Sequence, residues 1–301
     1  MAAELDILLL QMAIVRGNPA LNRAKVLALT TNLRPAKSSL LILPELFSTG
    51  FLDESSLSAS GPASGTPGPA SGTPGSGTGE GPKGNPSDWE SLAGQDDAFL
   101  SDLARRLGCW VAGATVECEP ARGRPVSGPR FRNVSLLFGP YGEREARYQK
   151  IHPFSYGGED RVFTRGNDLV TVQAEGWILQ PTVCYDLRFP ELYRAGSLRG
   201  VHLILVQANW PEARQAHWET LLRARAIENQ AFVAGVNCTG SQDSLAFAGG
   251  SMLVSPKGEV VIQAGDAEGV SRGRADLDAC LKWRKQFAVL PDRMPWEFYQ
   301  S

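Results

Sequence analysis

VHLILVQANWPEARQAHWETLLRARAIENQAFVAGVN, residues 201–237, carries the pattern that decides the fold class. Two apolar runs, HLILVQA and FVAGVN, flank a stretch of helical character from 213 to 229. Neither run alternates polar with apolar residues, so both faces of each strand must be covered. The same alternation of strand and helix continues outward in both directions. Toward the N-terminus it predicts strands at Trp177–Cys184, Leu169–Ala174, 143–149, 131–138 and 109–117, with helices at 190–199 and 96–107. Further out lie the strand Leu40–Leu43, ended by Pro44, and the apolar run Ile7–Val15. Between them a helix is expected to open with Asn18 as N-cap and Pro19 as first residue, reaching about Leu33. Beyond Cys238, strands are expected near 250–255, 259–263 and 271–276. Strands alternating with helices make an α/β domain, but the alternation leaves the stacking of its layers open.

Composition narrows the function classes. The chain has 301 residues, 43% of them hydrophobic, enough for a large core. Lys plus Arg total 30 against 32 Asp plus Glu, and a formal charge of −2 argues against non-specific nucleic-acid binding. No run approaches the ~18 apolar residues of a membrane helix. Met1–Val15 lacks a basic leader and carries Asp6 and Gln11, so a cytoplasmic protein is expected. The five cysteines form no C-x-x-C pair, and His152, His202 and His217 have no metal-motif spacing. Chemistry without zinc and without a histidine-centred triad is therefore expected.

One segment stands apart. Residues 61–82 contain 13 Gly or Pro in 22, including a tandem PASGTPG at Pro62–Gly68 and Pro69–Gly75. Such a stretch cannot bury enough apolar surface to offset its ordering entropy. With its flanks it is read as a disordered insertion over 54–88 within a single domain of residues 1–301. A linker between domains is the competing reading, although what precedes it is too short to be a domain.

Three residues at strand ends could carry chemistry. Cys184 closes the strand Trp177–Val183 and precedes the polar cluster Tyr185-Asp186-Leu187-Arg188. The carboxyl ends of strands are where α/β sheets place functional groups. A buried apolar cysteine is the alternative, and it is the reading kept for Cys109, Cys118, Cys238 and Cys280. Glu45 follows Leu40–Leu43 through Pro44, and a carboxylate drawn out of water there is suited to accept a proton. An exposed turn glutamate would fit that segment equally well. Lys150 ends the strand 143–149 and could face a developing oxyanion, or simply be solvated.

Together the three form a recognisable set. The stretches LLILPELFSTGF (40–51), RYQKIHPF (147–154) and PTVCYDLRFPELYR (181–194) resemble the nitrilase, or carbon–nitrogen hydrolase, superfamily, whose hallmark is Glu, Lys and Cys in that chain order. ANWPEARQAHWETLLRARAIENQAFVAGVN (208–237) is similar to the bacterial omega-amidase branch. The resemblance covers about 4–298 apart from the insertion. It implies a four-layer α-β-β-α sandwich, pairing into homodimers through the helices near 190–199 and 213–229.

The resemblance also implies a mechanism. Glu45 deprotonates Cys184, which attacks the amide carbon; Lys150 and the backbone N–H of Tyr185 hold the oxyanion. Ammonia leaves, and water hydrolyses the thioester, with no metal or organic cofactor. A second carboxylate of the family falls on Glu159, with Asp160 adjacent; a loop salt bridge is the alternative. Arg188 matches an arginine that grips a substrate carboxylate in some relatives, its alternative being an ion pair with Glu191. Asn209 and Trp210 are expected to line the pocket wall. Arg225 and Glu228 are expected to pair with each other, and His217 and Trp218 to pack at the dimer contact. His152 could orient the lysine, although packing is the preferred reading. The small-molecule substrate implied is the terminal amide of a 2-oxo dicarboxylate, such as 2-oxoglutaramate or 2-oxosuccinamate. Alternatives are an N-carbamoyl amino acid hydrolase, a deaminated-glutathione amidase, or an idle scaffold tethered by the insertion.

Overall fold

A computed structural model describes residues 4–51, 86–118 and 131–294. The Gly/Pro-rich repeat lies outside them, as do all but the last three residues of the expected insertion 54–88. The same is true of 295–301, most of the C-terminal PDRMPWEFYQS.

The first sheet is built from β1 (Glu4–Gln11), β2 (Ser39–Ile42), β3 (Trp110–Cys118), β4 (Phe131–Phe138), β5 (Arg144–Gln149) and β14 (Gly269–Asp276), in the order β14-β1-β2-β3-β4-β5. The second contains β6 (Val172–Ala174), β7 (Trp177–Val183), β8 (Leu203–Ala208), β9 (Phe232–Asn237), β12 (Met252–Val254) and β13 (Val260–Gln263), in the order β13-β12-β9-β8-β7-β6. A separate hairpin joins β10 (Thr239–Gln242) to β11 (Leu245–Ala248). The helices are α1 (Pro19–Thr30), α2 (Pro86–Leu107), α3 (Pro190–Leu198), α4 (Gln215–Asn229) and α5 (Leu277–Gln286).

The doubly apolar strands explain the layering. Successive side chains of a strand point to opposite faces. Leu5, Ile7 and Leu9 of β1 meet Leu203 and Leu205 of β8 and Phe232 and Ala234 of β9, closing the two sheets face to face. Leu8 and Leu10 point the other way, into a layer with Val26 of α1 and Leu100, Leu103 and Ala104 of α2. On the far side Ile204 and Val206 meet Leu192 and Tyr193 of α3 and Trp218, Leu222 and Ala226 of α4. The result is the four-layer α-β-β-α sandwich. Helix α4 lies so close that a Cβ on Gly235 of β9 would come within 2.6 Å of Leu222.

Local signals account for most element ends. The Asn18 side chain accepts from the Leu21 amide at 3.1 Å, with Pro19 first in α1. That helix stops at Thr30 rather than near Leu33, its last hydroxyls turned back on the helix carbonyls. The run Ile7–Val15 gives a strand only to Gln11; Ala13 makes a single bridge to Thr239. Only Val172–Ala174 of the expected strand Leu169–Ala174 pairs, and α2 begins earlier than 96, at Pro86. Helix α5 and the β10–β11 hairpin were not expected. Asp276 ends β14 and caps α5 by accepting from the Ala279 amide at 3.0 Å.

Candidate active site

The carboxyl ends of β2, β5, β7 and β8 converge on one edge of the sandwich. Buried polar links tie the sheets together just behind it: Gln207 Nε2 donates to the Leu43 carbonyl at 2.8 Å and Ser135 Oγ to Gln207 Oε1 at 2.5 Å. A cavity of ≈ 300 Å³ opens there, lined in part by Glu45, Lys150, Glu159, Cys184, Asn209 and Trp210. Every site residue expected from the sequence, including Tyr185 and Arg188, borders it.

The centre of the cavity wall is a buried charge cluster. Lys150 Nζ lies 2.8 Å from Glu45 Oε1 and 2.7 Å from Glu159 Oε2, and all three side chains are at most 2% exposed. It also donates to Glu159 Oε1 at 2.8 Å, so Glu159 takes the ammonium with both oxygens. Glu159 further accepts from the Phe154 amide at 2.6 Å, so it is no surface loop pair. Asn133 of β4, a residue the sequence reading missed, donates to both carboxylates, at 2.8 Å to Glu45 and 3.0 Å to Glu159. The second Glu45 oxygen accepts from the Asn209 amide at 2.9 Å. The signal for Asn133 was present: a lone amide inside the apolar strand FRNVSLLF has to find a buried partner.

Burial alone would pull Lys150 down, but the carboxylates of Glu159 and Glu45 outweigh it and leave its pKa above the ordinary value. Burial raises Glu159, Lys150 draws it back, and Glu45 adds to the rise. Cys184 is raised well above an ordinary thiol, first by burial and then by the Glu45 carboxylate, against the pull of Lys150. The resting nucleophile candidate is therefore a neutral thiol, and a neighbouring carboxylate must take its proton.

The expected strand Trp177–Cys184 is one residue shorter: β7 stops at Val183 and Cys184 opens a 3₁₀ turn, Cys184–Arg188, with φ 45°. A non-glycine residue held in the left-handed region is strained and needs a firm surround. Asp186 supplies it. Its fully buried carboxylate accepts from the Val183 amide (2.9 Å), the Tyr148 hydroxyl (2.7 Å) and the His152 amide (3.0 Å), and His152 Nδ1 lies 2.8 Å away. Asp186 thereby couples the turn after β7 to the chain beyond Lys150. His152 stacks on Phe189 at 3.8 Å and bonds Asp186, so it packs rather than orienting the lysine directly.

One expectation and one alternative are corrected. Trp218 does not face a partner: it is fully buried within the chain, donates from Nε1 to the Gly250 carbonyl at 2.9 Å and packs 5.6 Å from Trp210. Arg188 does not pair with Glu191; its guanidinium lies 4.6 Å over the Trp210 ring and 3.4 Å from His217 Nδ1. Arg225 and Glu228 do pair, at 2.9 Å, while Arg225 also donates to the Leu187 carbonyl.

A model of the carbon–nitrogen hydrolase family matches residues 8–285. The chain belongs to this family. As a carbon–nitrogen hydrolase it acts on C–N bonds other than peptide bonds. It is 39% identical over 209 residues to the 2-oxoglutaramate amidase of Paenarthrobacter nicotinovorans, covering 67% of this chain and 70% of that protein. It is 34% identical over 257 residues to omega-amidase YafV of Escherichia coli (strain K12), covering 84% and 83%. XC1258 of Xanthomonas campestris, a CN-hydrolase superfamily protein with an arsenic adduct in its active site, superposes with a TM-score of 0.76. There the identity is 30% over 97% of this chain and 98% of that one. Among the described residues no helix of this hydrolase is long and apolar enough to cross a membrane.

Proposed function

We propose that this hydrolase is an omega-amidase, releasing ammonia from the terminal amide of small 2-oxo dicarboxylate monoamides such as 2-oxoglutaramate and 2-oxosuccinamate. The observation that carries the reading is the buried Glu45–Lys150–Glu159 cluster beside a neutral Cys184 thiol in one cavity. The 2-oxoglutaramate amidase and omega-amidase names of relatives 34–39% identical support the substrate class.

In this mechanism Glu45 takes the Cys184 proton and the thiolate attacks the amide carbon. The oxyanion rests against the Lys150 ammonium and the Tyr185 backbone N–H. Glu45 returns the proton to the nitrogen as the C–N bond breaks, so ammonia leaves a thioester. Glu45 next takes a proton from water, hydroxide attacks the thioester, and the departing thiolate recovers the proton. Glu159 holds Lys150 in place throughout. Asn209 is a substrate contact: both polar atoms of its amide are buried without a partner among the described residues, and it borders the cavity. Trp210 walls the cavity, and Arg188 faces the substrate carboxylate. The chain is one catalytic unit and acts in the cytoplasm. It works as a homodimer through α3 and α4, whose Leu198 and Ile227 are each 54% exposed.

The test is ammonia release from 2-oxoglutaramate, an N-carbamoyl amino acid and a simple nitrile by the wild type and by Cys184→Ala. Wild-type activity on the first, abolished in Cys184→Ala, is the expected result. A dominant rate on either of the others overturns the substrate assignment, and equal rates in both proteins remove Cys184 from the mechanism.

A further inference from the structure

The cavity holds more positive charge than the chemistry uses. Besides Lys150, which is saturated by Glu45 and Glu159, both Arg188 and Arg214 border it. Neither makes a carboxylate pair among the described residues, whereas Arg144, Arg147 and Arg225 each have one, with Asp97, Glu117 and Glu228. An arginine is commonly left without an anion on a protein surface, but two turned to one cavity repel each other and need a reason.

Apart from a long contact of both Arg188 Nη atoms to His217 Nδ1 at 3.4 Å, their supports leave the donor groups open. Arg188 lies over the face of Trp210, and Arg214 over Phe154 and Tyr156, 5.7 Å from each ring. Stacking holds a guanidinium plane while its N–H groups stay available to a planar anion. The Arg214 backbone is anchored to the same wall, because Trp210 Nε1 donates to its carbonyl at 2.9 Å. The two side chains are close enough that Arg214, after burial, pushes Arg188 below the ordinary arginine range.

We propose that Arg214 is a specificity-determining residue which, with Arg188, clamps the free carboxylate of a linear acid amide whose other end reaches Cys184. The inference rests on the amidase reading and deepens it. A neutral amide of the same length gains nothing from this pair, whereas a carboxylate takes charge-assisted bonds from both guanidinia.

The experiment compares kcat/KM for glutaramate with that for the neutral amide valeramide in the wild type, Arg214→Gln and Arg214→Lys. The acid-to-neutral ratio is expected to fall about 10- to 100-fold in Arg214→Gln, through KM, and to recover in part in Arg214→Lys. A ratio that does not move, or an equal loss on both amides, overturns the proposal. Calorimetric binding of glutarate to Cys184→Ala, with and without Arg214→Gln, reads the same clamp without turnover. Binding weakened by a similar factor supports the clamp; absent binding, or binding indifferent to Arg214, refutes it. Inactivity of the wild type on every acid amide would bring down the amidase reading instead, and the glutarate result would still decide the role of Arg214.

Discussion

Replacing Lys150 with methionine removes the single cation between two buried carboxylates. Its Nζ sits 2.8 Å from Glu45 and 2.7 Å from Glu159. At an effective dielectric constant of about 20, each contact contributes about 6 kcal/mol of attraction, set against several kcal/mol of desolvation for each ion. Deleting one partner of a buried pair generally costs about 3–5 kcal/mol, because the desolvation stays while the attraction goes. Lys150→Met should therefore lose about 3–5 kcal/mol in urea unfolding at pH 7, followed by circular dichroism, as well as all turnover. The loss has a definite pH dependence. Lys150 is the main group lowering Glu159, so without it the Glu159 carboxyl rises further above its ordinary 4.5. An acid raised in the folded state contributes stability that is intact below its unfolded pKa and fades as pH climbs through the folded value. The deficit of Lys150→Met should be smaller at pH 5 than at pH 8, and Lys150→Met/Glu159→Gln should recover at least ~1 kcal/mol of it. A deficit under ~1 kcal/mol, or one identical at both pH values, would refute this account of the cluster.

Three further outcomes follow from other buried groups. Asp186→Asn places a donor against two of the four groups that bond the carboxylate, so the Cys184 turn should relax; kcat is expected to fall about 100-fold with a smaller change in KM, and a kcat within threefold of wild type would count against the anchoring role. Asp96 is raised by burial against hydrogen bonds from Ser48 and Thr115 and the charge of Arg23, so the stability of wild type relative to Asp96→Asn should decline as pH rises above 3.8; paired unfolding curves at pH 4.5 and 7 check the sign. Burial, aided by Arg284, lowers His202 to about 4, and its Nδ1 accepts from the Ile178 amide at 3.1 Å, so its contribution is intact above pH 6.5 and lost as pH falls toward 4. An NMR titration placing the His202 midpoint near 6.5 would contradict that environment.

What the sequence revealed and withheld follows from the range of each signal. Runs such as HLILVQA and FVAGVN expose their double burial directly, because side-chain alternation is local, and the residues just past such strands are set at the sheet edge by backbone geometry alone. Glu45 and Cys184 stood out as candidates for that reason, whereas Lys150 follows the polar strand REARYQ and joined them through the family resemblance. Helix α5 was not legible, since LDACLKWRKQ follows the strand without a break and its start depends on an Asp276 cap at the end of that strand. Asn133 and Asp186 were unassigned because, the Val183 amide apart, their partners lie 26 to 88 positions away along the chain, and only the closed sandwich brings these together. Trp218 was misplaced because an aromatic residue on an amphipathic helix reads alike whether it faces a partner or its own sheet. The Gly235 gap on β9 settles which.

The second carboxylate has a physical rationale in the proposed mechanism. Two carboxylates, one ammonium and a neutral thiol carry a net charge of −1, and moving the Cys184 proton to Glu45 shifts that negative charge without changing its total. The shift cancels the Lys150–Glu45 attraction as the thiolate forms, leaving the ammonium free to meet the oxyanion that appears one step later. Were Glu45 its only carboxylate partner, Lys150 would at that moment have the new thiolate as its one anion and no carboxylate to hold it in place, favouring displacement toward the sulfur or loss of its proton to it. Glu159 prevents both, because its two oxygens and the Phe154 amide fix the ammonium whichever protonation state Glu45 holds. Glu159→Gln should therefore weaken turnover chiefly through kcat, while the rate of Cys184 alkylation shifts to lower pH. Glu159 is one of the charges that hold the thiol pKa up, so an alkylation profile moved to higher pH would contradict this arrangement.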